Sequence, residues 1–258
     1  MSLSTADWHQ RYIQQARWTK DLRQKIFSYP WFINSQYVIE LGCGTGAVLE
    51  EIIPFHKRCL IGLDIDLDPL SFASTSNSSF KLVQGDAFIT PFSTSTFDLS
   101  FCHYLLLWIE NPALVIQEMV RITKPGGWII AFAEPDYGGR IDYPNELENL
   151  AKIQSNSLIQ QGANIYIGRI LKSLFIQAGM TEVVCGILGA HWSVSNQSDI
   201  AIESQVLLSD FNSLDKSSES MSLDRYIYLQ QIDQRALQEQ TIILFVPTFY
   251  AWGKVNKP

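Results

Sequence analysis

The chain has 258 residues, 47% of them hydrophobic and 17% charged, with a formal net charge of −7. This length suits one large α/β domain with additions; the acidic balance argues against a groove for nucleic-acid phosphates, and no apolar run reaches membrane-span length. Met1 to Trp8 lacks the basic and apolar parts of a signal peptide, and Cys43, Cys59, Cys102 and Cys185 show no metal-ligand spacing, so the expectation is a cytoplasmic protein with reduced thiols and no metal.

Ser4 to Phe27 predicts a helix, opened by a capping box of Ser4 and Asp7 and striped by Trp8, Tyr12, Ala16, Leu22 and Ile26. Tyr29-Pro30 stops it, since the residue before proline resists the α region. Tyr37 to Leu41 reads as a buried strand holding one acid, Glu40. Gly42, Gly44 and Gly46 follow at alternate positions, then a helical run from Ala47 to Ile53. Glycines permit positive φ and bring a ligand close to bare backbone, and the helix start behind them offers unpaired N–H groups. Gly42, Gly44 and Ala47 satisfy G-x-G-x-x-A as well as G-x-G-x-G, so the glycines by themselves do not choose the ligand.

A second strand, Cys59 to Asp64, ends on an acid where open α/β sheets bind ligands. Asp66 and Asp68 precede a helix around Pro69. The third strand is Phe80 to Gly85, ahead of Asp86 and Ala87, and the fourth is Phe97 to His103. Pro112 to Thr123 predicts a helix, Lys124-Pro125-Gly126-Gly127 a turn, and Trp128 to Glu134 the fifth strand. Glu134 to Arg140 is a loop rich in acids and glycine. Helices are expected over Pro144 to Gln161, Ile167 to Ala178 (stopped by Gly179), Ile200 to Phe211 and Leu223 to Gln240. Strands over Glu182 to Ile187 and Thr241 to Val255 complete the set.

Glu40 stands where dinucleotide enzymes usually keep an apolar residue. The runs E-L-G-C-G-T-G, G-L-D-I-D, G-D-A, F-D-L-S-F-C-H and K-P-G-G occur in order between about Tyr37 and Glu134. In these the chain resembles the class I S-adenosylmethionine (SAM) methyltransferases, in their type 11 small-molecule branch. The resemblance implies a doubly wound α/β fold, its seven-stranded sheet ordered 3-2-1-4-5-7-6 with strand 7 antiparallel. It implies one domain over residues 1–258: a helical cap (1–35), a cofactor core (36–135), a substrate-side insertion and helix (136–180) and C-terminal strands and helices (181–258). The cofactor is then SAM, leaving as S-adenosylhomocysteine, and the partner a small-molecule methyl acceptor.

Carried onto this sequence, Asp64 would accept from the ribose hydroxyls, Ile65 face the adenine, Asp86 take its amino group and Ala87 leave room for the ring. Tyr12, Arg17, Glu40, Gly42, Cys43, Gly44, Gly46, Cys102 and His103 complete the cofactor side. His103 is the candidate general base, with His191 and Tyr137 in reserve; the alternative is a structural histidine. Trp18, Asp136, Tyr137, Arg140 and Ile153 are expected around the acceptor. There Arg140 either holds an anionic group or pairs with Glu134 or Asp136. Two rival readings remain. One is a nicotinamide oxidoreductase, from the Y-x-x-x-K spacing of Tyr250 and Lys254; the other is a relative that binds SAM or a metabolite without catalysis. Neither the acceptor nor the oligomeric state is legible.

Overall fold

The computed structural model describes residues 3–55, 59–76, 79–188, 205–211 and 223–257. Alternation along the central strands sets its layers. In β1 (Tyr37–Leu41), Ile39 and Leu41 face one hydrophobic cluster and Val38 the other. In β5 (Thr123–Pro135), Ile129 and Ala131 join the first cluster while Ile130 and Phe132 join the second. A strand buried on both faces needs apolar residues in unbroken succession, and that is what these runs supply.

With β2 (Cys59–Asp64), β3 (Lys81–Gln84) and β4 (Phe97–Cys102), these strands pair in parallel. At the far side β9 (Thr248–Lys254) runs antiparallel between β5 and β7 (Thr181–Leu188). The order is β3-β2-β1-β4-β5-β9-β7, the expected arrangement with a reversed strand inserted next to last. Helices α6 (Pro112–Ile122) and α8 (Ile167–Gln177) cover the first face. The second is covered by α2 (Lys20–Phe27), α3 (Pro30–Ile33) and α4 (Ala47–Ile52). The chain leaves β1 toward β2 on one side and returns as β4 on the other, so their carboxyl ends open into the crevice where such sheets bind ligands.

The structure departs from the sequence reading at several element boundaries. The N-terminal helix is two, α1 (Thr5–Trp18) and α2, broken at Thr19, whose hydroxyl is drawn into a buried side-chain cluster. The capping box of Ser4 and Asp7 forms as read, with Asp7 N–H donating to Ser4 Oγ at 3.2 Å. The expected last strand is also two, because Pro247 has no N–H to give to a ladder. Its first half, β8 (Ile243–Phe245), pairs instead with β6 (Ile141–Tyr143), an unforeseen short strand, in a separate two-stranded sheet. The fifth strand begins at Thr123, carrying the Lys124–Gly127 turn as an irregularity with Gly126 at φ +78°. The helix expected from Pro144 starts at Glu148 (α7, Glu148–Gln160). Of the helix expected over Ile200 to Phe211, residues 205–211 are helical and the rest lie outside the described residues.

Glu134, fully buried near the end of β5, braces the turn that follows β4. Its two oxygens accept the N–H groups of Leu106 and Leu107 at 3.0 and 3.1 Å. Burial pushes its pKa up to about 8, against the pull of these donors. This folded value lies above the roughly 4.3 of an unfolded glutamate, so the folded chain binds the extra proton. Stability is then lost as pH rises from the unfolded value through 8. Glu134→Gln should remove this linkage, so wild type should lose ground to the variant in urea midpoint between about pH 5 and 9. A gap independent of pH would mean that Glu134 is ionised throughout.

Candidate cofactor and acceptor site

The glycine loop follows β1, with Gly42, Gly44 and Gly46 at φ +69°, +50° and +80°. A Cβ on Gly42 would stand 2.6 Å from Leu105 Cδ1 in the turn after β4, so both backbone angle and space require glycine there. The Gly42 and Cys43 N–H groups donate to the Leu63 carbonyl at 2.8 and 3.0 Å, closing the loop onto β2. Asp64 is fixed by backbone: one oxygen accepts from Gly44 N–H at 2.6 Å, the other from Asp66 N–H at 3.0 Å. Glu40, buried near the end of β1, has an Oε2 with no hydrogen-bond partner among the described residues. Burial raises its pKa well above the usual range, against the pull of Arg23 and with a further push from Asp64.

Helix α1 lies over this loop. Tyr12 packs on Gly44, and His9 Nδ1 is 2.8 Å from Thr45 Oγ1. Arg23, fully buried on α2, donates to the Ala16 carbonyl at 2.6 Å, to Thr19 Oγ1, and to Glu51 beside the glycine loop. His103 Nε2 lies 2.9 Å from Thr19 Oγ1 and 3.5 Å from Arg23 Nη1. A guanidinium only donates, so this nitrogen acts as acceptor and the ring proton sits on Nδ1. Burial and the adjacent guanidinium hold the His103 pKa well below its ordinary value.

Between α1 and the strand ends is a cavity of about 410 Å³. Gly42, Gly44, Asp64 and Asp66 line one part; Tyr104, Tyr137 and Gln154 line another, together with Arg11 and Gln15 of α1. A narrow recess shares these five last residues and adds Trp18, Leu244, Val246 and Thr248 to its wall.

Of the residues anticipated from sequence, Tyr12, Glu40, Gly42, Cys43, Gly44, Asp64, His103 and Tyr137 line the cavity. Trp18 reaches only the recess. Gly46 caps α4 from behind the loop, and Ile65 is 61% exposed outside the lining. Asp86 turns its carboxylate to the Phe88 N–H at 2.8 Å, next to buried Ala87. Cys102 is buried with its sulfur toward Glu134 at 3.9 Å, and burial raises both the Cys43 and Cys102 thiols well above their ordinary pKa. Arg17 projects outward, exposed, on the wrong phase of α1. Ile153 packs with Leu147 and Leu150 in a third core cluster. Arg140 pairs with Asp142 at 2.8 Å and with Gln154, while Asp136 pairs with Arg169 at 2.5 Å, so both expected partners of Arg140 were the wrong ones. His191 lies outside the described residues. Tyr250 stacks on Trp252, and Lys254 bonds Glu182 at 3.0 Å; both are on β9, across the sheet from the glycine loop.

Arg11, Gln15, Tyr104, Gln154 and Asp210 also line the cavity and were not singled out. Trp8, Arg11, Tyr12 and Gln15 share the i, i+3, i+4, i+7 face of α1, so the polar residues of that face were a readable signal. Tyr104 carried none: its position depends on an unusual φ of +53° just beyond β4.

Residues 39–131 match the sequence model of a family described as a methyltransferase domain. An uncharacterized methyltransferase of Schizosaccharomyces pombe is 29% identical over 159 residues, 55% of each chain, so the match spans about half of that relative. A demethylmenaquinone methyltransferase of Renibacterium salmoninarum is 26% identical over 180 residues, 67% of this chain and 73% of that one. In structure, a putative methyltransferase from Bacillus halodurans superposes with a TM-score of 0.59 at 17% identity, covering 93% of this chain and 99% of that one. Among the described residues no helix is long and apolar enough to cross a membrane. The glycine loop, the sheet order and these likenesses agree: residues 39–131 match a methyltransferase domain, and the fold is shared with methyltransferases of known structure.

Proposed function

We propose that this protein methylates a small-molecule acceptor bound in the same cavity as SAM. What supports this most is one continuous space of about 410 Å³, within the range of small-molecule sites, that reaches from the glycine loop and Asp64 to the phenols of Tyr104 and Tyr137. The residues of its first part fit the cofactor. Positive-φ glycines leave backbone open to it, Asp64 offers a carboxylate already oriented by two N–H groups, and Glu40 carries a buried oxygen lacking a partner among the described residues. Asp64 and Asp66 give that end a negative character suited to a ligand with cationic groups. Bound SAM supplies a methyl group already activated on sulfonium. The chain's task is then to align acceptor and methyl and to exclude water, for which Tyr12 and the rest of α1 form the roof.

His103 serves in this reading as a positioning group rather than as the general base. Its accepting nitrogen is committed to Thr19 and Arg23, and its low proton affinity makes it a weak base. It joins the end of β4 to the junction of α1 and α2, fixing the roof above the loop.

Two measurements test the cofactor side. Asp64→Ala should weaken S-adenosylhomocysteine binding by roughly 1–3 kcal/mol in calorimetry, through loss of an oriented charged acceptor; unchanged affinity would remove Asp64 from the site. Glu40 holds its proton to unusually high pH, and a cation bound beside it should drive that proton off. The heat of SAM binding near neutral pH should therefore vary with the ionisation enthalpy of the buffer, and Glu40→Gln should abolish the variation. Buffer-independent heats in wild type would place Glu40 outside the linkage.

A further inference from the structure

The far part of the cavity has an oriented amide in its wall. Gln154, on α7, is 7% exposed and lines both the main cavity and the recess. Its Oε1 accepts from Arg140 Nη1. A guanidinium only donates, so the amide is fixed with its oxygen toward Arg140 and its NH2 as the end that remains. Arg140 is itself anchored: Nε and Nη2 donate to Asp142 at 2.9 and 2.8 Å, and both side chains of that pair are buried. Among the described residues the Gln154 Nε2 donates to nothing, and the side-chain atoms sealed in protein without a partner are oxygens of Glu40 and Glu51. Nε2 therefore reaches open space, and the space that Gln154 borders is the cavity and its recess. Beside it the recess is apolar, with Trp18, Leu188, Leu244 and Val246. Donor and recess belong to one piece of scaffold, since α7 packs on β6 and β6 pairs with β8, which carries Leu244.

We propose that Gln154 is a specificity-determining residue for the acceptor, donating from Nε2 to a carbonyl oxygen on an otherwise apolar molecule. This rests on the methyltransferase reading of the cavity and names the group by which the acceptor is anchored. A primary amide left to itself turns either end to a ligand, and so separates donors from acceptors poorly. Here Arg140 selects the donor end, and Asp142 offsets the charge of Arg140, so that Gln154 presents a neutral N–H. A ketone or ester carbonyl accepts that N–H while the recess takes the apolar body. An ammonium group in its place would set donor against donor, and a methylene would leave the N–H dry and unpaired. Arg140 is then a positioning residue, acting on the acceptor through Gln154.

The test uses the full chain saturated with S-adenosylhomocysteine, whose affinity is measured first by calorimetry. Two probes of matched shape are then titrated: 2-acetylnaphthalene, and 2-isopropenylnaphthalene, in which a methylene group replaces the carbonyl oxygen. The readout is the ratio of ketone to alkene affinity, because the greater hydrophobicity of the alkene enters that ratio equally in every variant. Gln154→Leu should lower the ratio about 5-fold or more, as loss of one neutral hydrogen bond in a closed site predicts. Gln154→Glu should lower it further, since a carboxylate held by Arg140 sets oxygen against oxygen. Both should leave S-adenosylhomocysteine affinity unchanged, a pattern that general damage to the fold would not produce. Should Gln154→Leu fail to fold, Gln154→Glu keeps the Arg140 contact and carries the test. Arg140→Met combined with Asp142→Leu removes the buried pair without stranding a charge. The amide is then free to turn, and the ratio should fall between those of wild type and Gln154→Leu. No binding by either probe, a ratio that Gln154→Leu leaves unchanged, or one that Gln154→Glu raises would each overturn the proposal; a ratio unmoved by the paired substitution would overturn the part given to Arg140. Gln154-dependent ketone binding without S-adenosylhomocysteine binding would sink the methyltransferase reading and leave the donor site standing. Cofactor binding with a ratio indifferent to Gln154 would do the reverse.

Discussion

The roof of the site depends on one buried guanidinium. Arg23 is fully enclosed, and burying a charge is costly unless it is paired and hydrogen-bonded. Glu51 supplies the opposite charge, the Ala16 carbonyl and the Thr19 hydroxyl take further donors, and His103 stands 3.5 Å away. These partners come from α1, from the junction before α2, from α4 behind the glycine loop and from the end of β4. An arrangement that satisfies this charge has few alternatives, because moving any partner leaves it exposed to an apolar interior. The break between α1 and α2, which divides what reads as one helix, is part of the same arrangement.

The floor is held by a different device. Asp64 receives the Gly44 and Asp66 N–H groups, and the Leu63 carbonyl receives those of Gly42 and Cys43. The loop is thereby knitted to β2, and its carboxylate is oriented by the backbone it serves. Preorganisation of this kind lowers the cost of ordering a ligand. Glu134 plays the matching part at the other strand end, where its oxygens seat the turn bearing Tyr104 and Leu105. That turn presses on Gly42, so the loop after β1 and the turn after β4 fix each other.

Around the acceptor end, carboxylates and guanidiniums are largely matched in pairs. Arg140 meets Asp142 and Gln154, and Arg169 meets Asp136, which stiffens the loop after β5 and leaves Tyr137 as its contribution to the cavity. A cation expected at the acceptor thus serves the scaffold, while Arg11 of α1 lines the cavity. Polarity runs from the acids beside the glycine loop to Arg11 with its aromatic and amide neighbours, an order suited to a cationic cofactor at one end.

Local sequence determined the parts of this protein that follow from short-range physics. Near-continuous apolar runs made β1, β4 and β5 legible, the glycines announced a loop of positive φ, and Ser4 with Asp7 marked the start of α1. Glu40, Gly42, Gly44 and Asp64 could be placed because each sits at a strand end, and strand ends share one edge of a parallel sheet. Only the tertiary structure decided the rest. Arg11 and Arg17 are six residues apart, and the packing of α1 on the loop, rather than any propensity, turned the first inward and the second to solvent. Pro247 signals a break, but the pairing of β8 with β6 joins segments about a hundred residues apart, which no local pattern encodes. Tyr104 enters the cavity through a left-handed residue held by the Ala133 carbonyl, and Arg140 reaches Gln154 because α7 packs beside β6. The cofactor end was readable because its chemistry lies in one run of backbone; the acceptor end was not, because several separate segments meet to make it.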